Sequence, residues 1–460
     1  MVSSSYDVIV VGAGSAGYAC AFRAAQLGLH VALLEEDKLG GTCLHRGCIP
    51  TKALLHVAEA ADTIRHSTEV GLKASLDAID IDAVHTYKDG VVDRLHKGLQ
   101  GLVRHNKVDL VHGTAHLEGP TTVTVADRTL TAPAIVLATG SYPRTLPHVP
   151  LGARVITSDE ALRLHEIPNT VVVLGGGVIG VEFASVWASY GADVTIVEAA
   201  DRLVPAEDEW TSKQLERSFR KRGITIRTGV GLARATETDT GVSAELDTGD
   251  VLKADLLLVA VGRAPRTDIA GLSNVGVELD RGFVVVDDRF GTSVPGIYAV
   301  GDVVAGLQLA HRGFQHGIAV AEHIAGLSPA PIDETGIPRV TYSKPEIASM
   351  GLTESQARAV YDEVDVLVYD LAGNGKTQIA RGSGGIKVVR SSSPKENGRI
   401  LGIHMVGSGV GELIGEAQLI YNWEAHAADL APYIHAHPSI GEALGEAHLA
   451  LAGKPLHVHS

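Results

Sequence analysis

The feature that most limits what this chain folds into is an internal repeat. DVIVVGAGSAGYACAFRAAQLGLHVALLEE, beginning at Asp7, returns 163 positions later as TVVVLGGGVIGVEFASVWASYGADVTIVEA, beginning at Thr170. Gly12, Gly14 and Gly17 fall on Gly175, Gly177 and Gly180, while Gly28 falls on Gly191 and Glu35 on Glu198. Each copy is a β-branched apolar run, then G-x-G-x-x-G, then a helix-period stretch, then a second apolar run closing on an acid. That order describes a dinucleotide-binding β-α-β unit. The first glycine makes the tight turn, the second lets backbone approach a pyrophosphate, and the third lets helix and strand pack closely. The helix N-terminus offers its free N–H groups to the phosphates, and the closing acid accepts from a ribose. One such motif alone can be a structural turn. Two, each in full context, imply two dinucleotides, which in a redox enzyme pairs FAD with a nicotinamide nucleotide.

The second unit lies within the first. The run APAIVLATG, ending at Thr139 and Gly140, precedes it, and TSVPGIYAVGDV, with Gly301 and Asp302, follows it. The first unit is therefore expected to bind FAD and the inserted one the nicotinamide nucleotide. Glu198 favours NAD over NADP, because its carboxylate bonds a free 2′-hydroxyl and repels a 2′-phosphate. The next basic residue, Arg202, is four positions further on.

Composition agrees with an α/β chain of several domains. Of 460 residues, 45% are hydrophobic but only 4% aromatic, and 52 are glycine. That suits glycine-turned units with Val, Ile, Leu and Ala cores. A net charge of −15 argues against nucleic acid and suits a basic protein partner. The uncharged run from Val8 to Phe22 is too short and glycine-rich to span a membrane. MVSSSYD has no Lys or Arg to open a signal peptide, so the cytoplasm is the expected location.

GGTCLHRGCIPTKALL, residues 40–55, holds two of the three cysteines, Cys43 and Cys48. A zinc site would want a second ligand pair, which is missing, and His45 does not complete a set, so no metal is expected. A chain this long needs no staple to fold. Redox chemistry and inert packing remain. Five residues of regular helix rise about 7.5 Å, whereas a disulfide wants Cα atoms within about 4.4–6.8 Å. The pair can bond only where the backbone between them leaves regular helix, as Gly47 and Pro50 would allow. KALLHVAEAADTIRH reads as the helix that follows, and a cysteine at its N-terminus would have its thiolate favoured by the dipole.

Taken in order, GAGSAG, GGTCLHRGCIPTKALL, ATGSYP, GGGVIGVEFASVW, VGRAPRT, GIYAVGDV and HAHPSIGEA make the chain resemble the pyridine nucleotide–disulfide oxidoreductases, and among them the dihydrolipoamide dehydrogenases. The resemblance covers almost the whole chain. It implies an α/β fold of two Rossmann-like dinucleotide-binding domains, with FAD at residues 1–150 and 271–337 and the inserted NAD domain at 151–270. An α+β dimerisation domain would fill 338–460, where DVLVYDL, GGIKVVR and ILGIHMVG read as strands and GVGELIGEAQLIYNWEA as a helix. FAD contacts are implied at Gly12, Gly14, Gly17, Glu35, Thr139, Gly140, Asp302, Ala310 and His311. NAD contacts are implied at Gly175, Gly177, Gly180, Glu198, Gly262 and Arg263.

The resemblance also answers the cysteine question. It implies a redox disulfide in which Cys43 exchanges with substrate and Cys48 faces the flavin. His437 becomes the general base, oriented by Glu442, and Lys52 stands beside the flavin paired with Glu182. His435 lacks the H-P-x-x-x-E setting of His437 and ranks below it. Cys20 has no family role and reads as a small core residue. The base would serve the other subunit's disulfide, so a homodimer is required. The implied partners are lipoyl domains and the basic subunit-binding domain of 2-oxoacid dehydrogenase acyltransferases.

Some residues depart from the family pattern. His45 and Arg46 stand where many relatives carry Asn-Val, and Thr51 where Ser is frequent. A basic pair there is expected to depress the thiol pKa or shift the flavin potential. Related reductases of mercury and thioredoxin need a further C-terminal cysteine pair, which HLALAGKPLHVHS lacks. Glutathione reductases usually prefer NADP, which Glu198 opposes. An NADH:quinone diaphorase would need neither the cysteines nor His437, and a pure docking scaffold would need no intact redox pair.

Overall fold

The computed structural model describes residues 2–269, 271–393 and 398–457. Positions 1, 270 and 460, at limits of the expected domains, lie outside the described residues. The repeat builds two parallel five-stranded sheets. The first runs, in spatial order, Ile297–Ala299, Ala134–Leu137, Val8–Val11, Val31–Glu35 and Asp109–His112. The second runs Val155–Ile156, Leu256–Val259, Thr170–Leu174, Asp193–Glu198 and Thr225–Thr228. Registers correspond: Val8 pairs with Val31 and Ala134, and Val171 with Val194 and Leu256. The central strands are apolar on both faces because both faces are covered.

An edge of the first sheet is supplied by Ile297–Ala299, a segment that follows the whole second sheet in the chain. Its helix Ala310–Ile324 returns across Ser15–Gln26 at very close range. A Cβ at Gly317 would lie 2.3 Å from the Ala16 carbonyl oxygen, so only glycine fits that crossing. Cys20 is fully buried there, and burial pushes its thiol up to about 12. It is a packing residue with no thiolate to offer at neutral pH.

The C-terminal sheet is antiparallel: Arg339–Thr341, Glu346–Gly351, Ile400–Gly407, Gly385–Ser391 and Val364–Asp370. All three expected strands lie in it. The expected helix over GVGELIGEAQLIYNWEA is shorter, a 3₁₀ turn Val410–Leu413 followed by Ile414–Asn422. Gly411 gives its N–H to the Glu346 carboxylate at 2.9 Å. At the far end the helix stops before Glu424, whose φ is +53°.

The helix Val178–Tyr190 is apolar nearly all round because it is covered nearly all round. On one side it meets Cys48–Arg65, and Phe183 and Trp187 share a core with Leu54 and Ala58. The same core includes Ile347 and Val406 of the C-terminal sheet. Ionic clusters reinforce this junction. Lys387 Nζ lies 2.7 Å from both Asp208 Oδ1 and Glu354 Oε2. Asp62 accepts from Ser189 and from Lys344 Nζ, both at 2.9 Å.

Burial alone would raise the Asp208 carboxyl. Hydrogen bonds from Lys387 and the Glu354 N–H override it and hold the group below the usual carboxylate range. A carboxyl lowered by folding stabilises the native state above its unfolded pKa, and that contribution fades as pH falls through the folded value. Lys387→Met should therefore cost about 3 kcal/mol at pH 7 by leaving a buried carboxylate unpaired. In urea unfolding the difference from wild type should shrink as pH falls through the carboxylate range, because Asp208 of the variant, buried without its cation, takes up a proton at higher pH than the wild-type group.

Candidate active site

Both repeat units open on one continuous cavity of about 1900 Å³. Its walls include Gly12, Gly14, Glu35, Thr139, Gly140, Asp302, Ala310 and His311 on one arm, and Gly175, Gly177, Glu198, Gly262 and Arg263 on the other. Cys43, Cys48, Lys52 and Glu182 also line it. Gly17 and Gly180 lie beneath the lining, where a Cβ would be 1.8 Å from Gly12 O and 1.9 Å from Gly175 O. A Cβ at Gly177, by contrast, meets nothing within 4 Å.

The residues fit dinucleotides on both arms. The closing acids are held alike: Glu35 Oε2 accepts from Ala13 N at 2.8 Å, and Glu198 Oε2 from Gly176 N at 2.6 Å. Each carboxylate also accepts from a backbone N–H two residues on, at Asp37 and Ala200. Each acid is thereby fixed beside its glycine turn with lone pairs to spare for a ribose. Arg202 is turned to the Pro205 carbonyl at 2.9 Å. Asp302 Oδ2 accepts from Ser141 Oγ at 2.6 Å, and Ser141 Oγ accepts from Arg263 Nε at 2.7 Å. Arg263, expected with the nicotinamide nucleotide, thus joins Asp302, expected at FAD. Thr139 Oγ1 donates to Arg266 O at 2.6 Å, and His311 Nε2 to Pro338 O at 2.7 Å.

The backbone between the cysteines does leave regular helix. Gly41–Arg46 forms one short helix, Gly47 breaks it at φ −147° and ψ −110°, and Cys48 opens the helix Cys48–Arg65. Both cysteines are free thiols and half-buried. The Cys43 thiol donates to the Cys48 sulfur. That bond, and then the Lys52 ammonium, lower the Cys48 thiol to about 7 against the opposing effect of burial. The same bond, with burial, pushes Cys43 far up. The thiolate therefore sits on Cys48, at the head of a helix whose dipole favours it.

Lys52 stands one turn below Cys48. Its Nζ is 2.9 and 2.8 Å from the two Glu182 oxygens. Burial opposes the ammonium, but Glu182 outweighs it and holds the Lys52 pKa up. Tyr342 completes this contact: its N–H donates to Glu182 Oε1 at 2.9 Å, and Lys52 Nζ lies 4.7 Å over its ring. Sequence reasoning missed Tyr342, which stands in no motif, and Ser141, which lies within ATGSYP but was not singled out. It also passed over Tyr18, which packs on Phe22 and Phe314. Burial, and then the nearby Cys43 and Cys48, push Tyr18 up to about 12.

His45 and Arg46 do not act as the basic pair expected at the thiols. His45 Nε2 donates to Leu39 O at 2.9 Å, and burial lowers its pKa. Arg46 is paired with Asp37 at 2.9 Å.

His437 Nδ1 lies 2.8 Å from Glu442 Oε1, and Glu442 Oε2 accepts from Ser439 N at 3.0 Å. The Ser439 N–H, and then His437, hold the Glu442 carboxyl below its ordinary range. This pair is not part of the cavity lining, and the His437 side chain is 76% exposed. His435 also has a carboxylate partner, Glu416 at 2.8 Å, but its side chain is only 19% exposed.

The geometry makes a spectroscopic prediction. In the reduced protein one thiolate, that of Cys48, should titrate near 7 when followed at 240 nm. Lys52→Met removes the cation beside it and should move that titration upward by about one pH unit. A titration that stayed in place would show that Lys52 does not act on the thiolate.

Residues 6–317 match the family model described as pyridine nucleotide-disulphide oxidoreductase, and residues 337–448 match the dimerisation domain of the same family. A dihydrolipoyl dehydrogenase from Bacillus subtilis is 39% identical over 99% of this chain and 100% of its own length. One from Thermus scotoductus is 39% identical over 99% of both. Among solved structures, LpdA from Mycobacterium tuberculosis superposes with a TM-score of 0.89 at 25% identity, covering 98% of this chain and 100% of that one. The HOCl-induced flavoprotein disulfide reductase RclA from Escherichia coli superposes with a TM-score of 0.86 at 27% identity, covering 96% and 99%. Among the described residues no helix is long and apolar enough to cross a membrane. Full-length likeness and the architecture agree: the chain belongs to the pyridine nucleotide-disulphide oxidoreductases, enzymes that use FAD and NAD and pair through the C-terminal domain.

Proposed function

We propose that the chain oxidises dihydrolipoamide to lipoamide with reduction of NAD⁺, as a dihydrolipoyl dehydrogenase. The observation that carries this reading is the shared cavity. One Cys43–Cys48 pair stands where two dinucleotide arms meet, with a cation beside the inner sulfur and a His–Glu pair exposed outside. The full-length relatives named dihydrolipoyl dehydrogenase support it.

In this reading the cycle begins with Cys43 and Cys48 oxidised to a disulfide. His437 takes a proton at Nε2 from one substrate thiol, because Nδ1 is committed to Glu442. The thiolate attacks Cys43 and expels Cys48 as thiolate, the better leaving group of the two by its lower pKa. The second substrate thiol, deprotonated in turn, attacks its own partner sulfur and expels Cys43. The products are lipoamide, the Cys48 thiolate and the Cys43 thiol: of the two protons taken by His437, one returns to Cys43 and one leaves to solvent. Bound FAD supplies the two-electron path from the dithiol to NAD⁺. Lys52 keeps the Cys48 sulfur anionic, and Glu182 and Tyr342 keep Lys52 in place. Glu198, with Arg202 turned away, supports NAD over NADP.

His437 is turned to solvent in the single chain, so it is assigned to the partner subunit's thiol pair. The net charge of −15 supports docking to a basic subunit-binding domain of an acyltransferase component, whose lipoyl domains carry the substrate. The cytoplasm remains the proposed location.

The test is an anaerobic assay of the FAD-loaded homodimer with dihydrolipoamide and either NAD⁺ or NADP⁺. Turnover with NAD⁺ alone is expected; oxidation of NADH by quinones without any dihydrolipoamide turnover would refute the reading. His437→Gln should lower dithiol turnover roughly 10²–10⁴-fold. Hybrid dimers of Cys48→Ser and His437→Gln chains should recover one working site, whereas sites contained in one chain would recover nothing.

A further inference from the structure

We propose that His45 and His96 position the turn that carries Cys43 by gripping one carbonyl, that of Leu39, and so set the stability of the Cys43–Cys48 disulfide. The proposal rests on the redox reading of this pair.

The turn is held in part by buried Leu44, by the Gly40 N–H, which donates to the Ala13 carbonyl at 2.9 Å, and by the Arg46–Asp37 pair. Gly41–Arg46 is six residues long, too short to be stable by itself. Glycines bound it on both sides, Gly40 at φ +108° before it and Gly47 after it. Leu39, immediately upstream, is only 1% exposed. Its carbonyl oxygen has two lone pairs, and an imidazole N–H fills each. His45 Nε2, two residues past Cys43, reaches back to it at 2.9 Å. His96 Nδ1, on the helix Ile81–His105, donates to it at 3.0 Å. The rings meet edge to face with centroids 5.0 Å apart. Gln100 Nε2 donates to His96 Nε2 at 2.9 Å, which fixes the His96 proton on Nδ1, where Leu39 needs it. The helix bearing His96 also lines the cavity through Arg94, Leu95 and Gly98. A residue about fifty positions away is thus tied to the redox turn, and neither histidine touches the thiols' own hydrogen bond.

An anchored turn keeps the two sulfurs at a high effective concentration, which favours the disulfide. Removing an anchor lets the turn relax and makes the disulfide easier to reduce. The experiment equilibrates the FAD-loaded homodimer in glutathione buffers of graded potential and counts free cysteines by alkylation and mass spectrometry. His96→Ala and His45→Ala should each weaken the disulfide about tenfold, a shift of about 30 mV to less negative potential. His96→Asn and His45→Gln, which return an amide N–H near the lost ring N–H, should restore most of it. NADH:quinone turnover, which needs no thiols, should not change. Unshifted alanine variants, no rescue by the amide variants, or a parallel fall in quinone turnover would each overturn the proposal. The glutathione equilibrium is independent of dihydrolipoamide, so it stands apart from the substrate assignment. A wild-type pair that forms no disulfide in oxidising buffer would overturn the redox reading and the proposal with it.

Discussion

The contact between the helix Cys48–Arg65 and the helix Val178–Tyr190 is what makes a single site out of two binding units. The first begins at the inner cysteine and the second at the glycine turn of the inserted unit. Leu54 and Ala58 pack with Phe183 and Trp187 in one core, and Lys52 meets Glu182 at its cavity edge. Apolar burial supplies the attraction, at roughly 25 cal/mol per Å² removed from water, while the ion pair fixes the register. Without that packing each β-α-β unit would still fold around its own glycine turn, but the two arms would not share a cavity.

The same contact sets the thiol chemistry. A cysteine pair buried among apolar side chains would resist ionisation. Here Cys43 donates a hydrogen bond to Cys48, and Lys52 adds a cation held by Glu182 and by the Tyr342 N–H. The two sulfurs are pushed apart in acidity, which fits the proposed roles of a leaving thiolate and an exchanging sulfur. The Cys43 side is governed by mechanics instead. Its short helix lies between glycines and is tied through Leu39, so one sulfur is tuned by charge and the other by the position of its turn.

Much of this was legible in the sequence where the signal is local. Both glycine turns, both closing acids and the helix after Cys48 follow from spacing and periodicity within about thirty residues. The break between the cysteines follows from Gly47. The helix expected over GVGELIGEAQLIYNWEA opens as a 3₁₀ turn whose Gly411 N–H goes to Glu346, a partner from a strand far away in the chain that no local pattern discloses. His45 and Arg46 misled for a like reason. Adjacency to the thiols suggested an electrostatic role, but a side chain acts where it points, and these point to Leu39 and Asp37.

The sequence by itself determined the two dinucleotide-binding units, their nesting and the spacing of the cysteine pair, because turn geometry and helix period are short-range properties of the backbone; the pairing of His437 with Glu442 came from the family resemblance. Only the tertiary structure decided that Arg263 joins Ser141 and Asp302, that Tyr342 steadies Lys52, that His96 reaches the cysteine turn, and that His437 faces outward from the chain that owns it. Each of those depends on helices and strands far apart in the chain meeting at a set angle and depth. That is fixed by how their apolar faces close-pack, and close packing is a property of the whole fold.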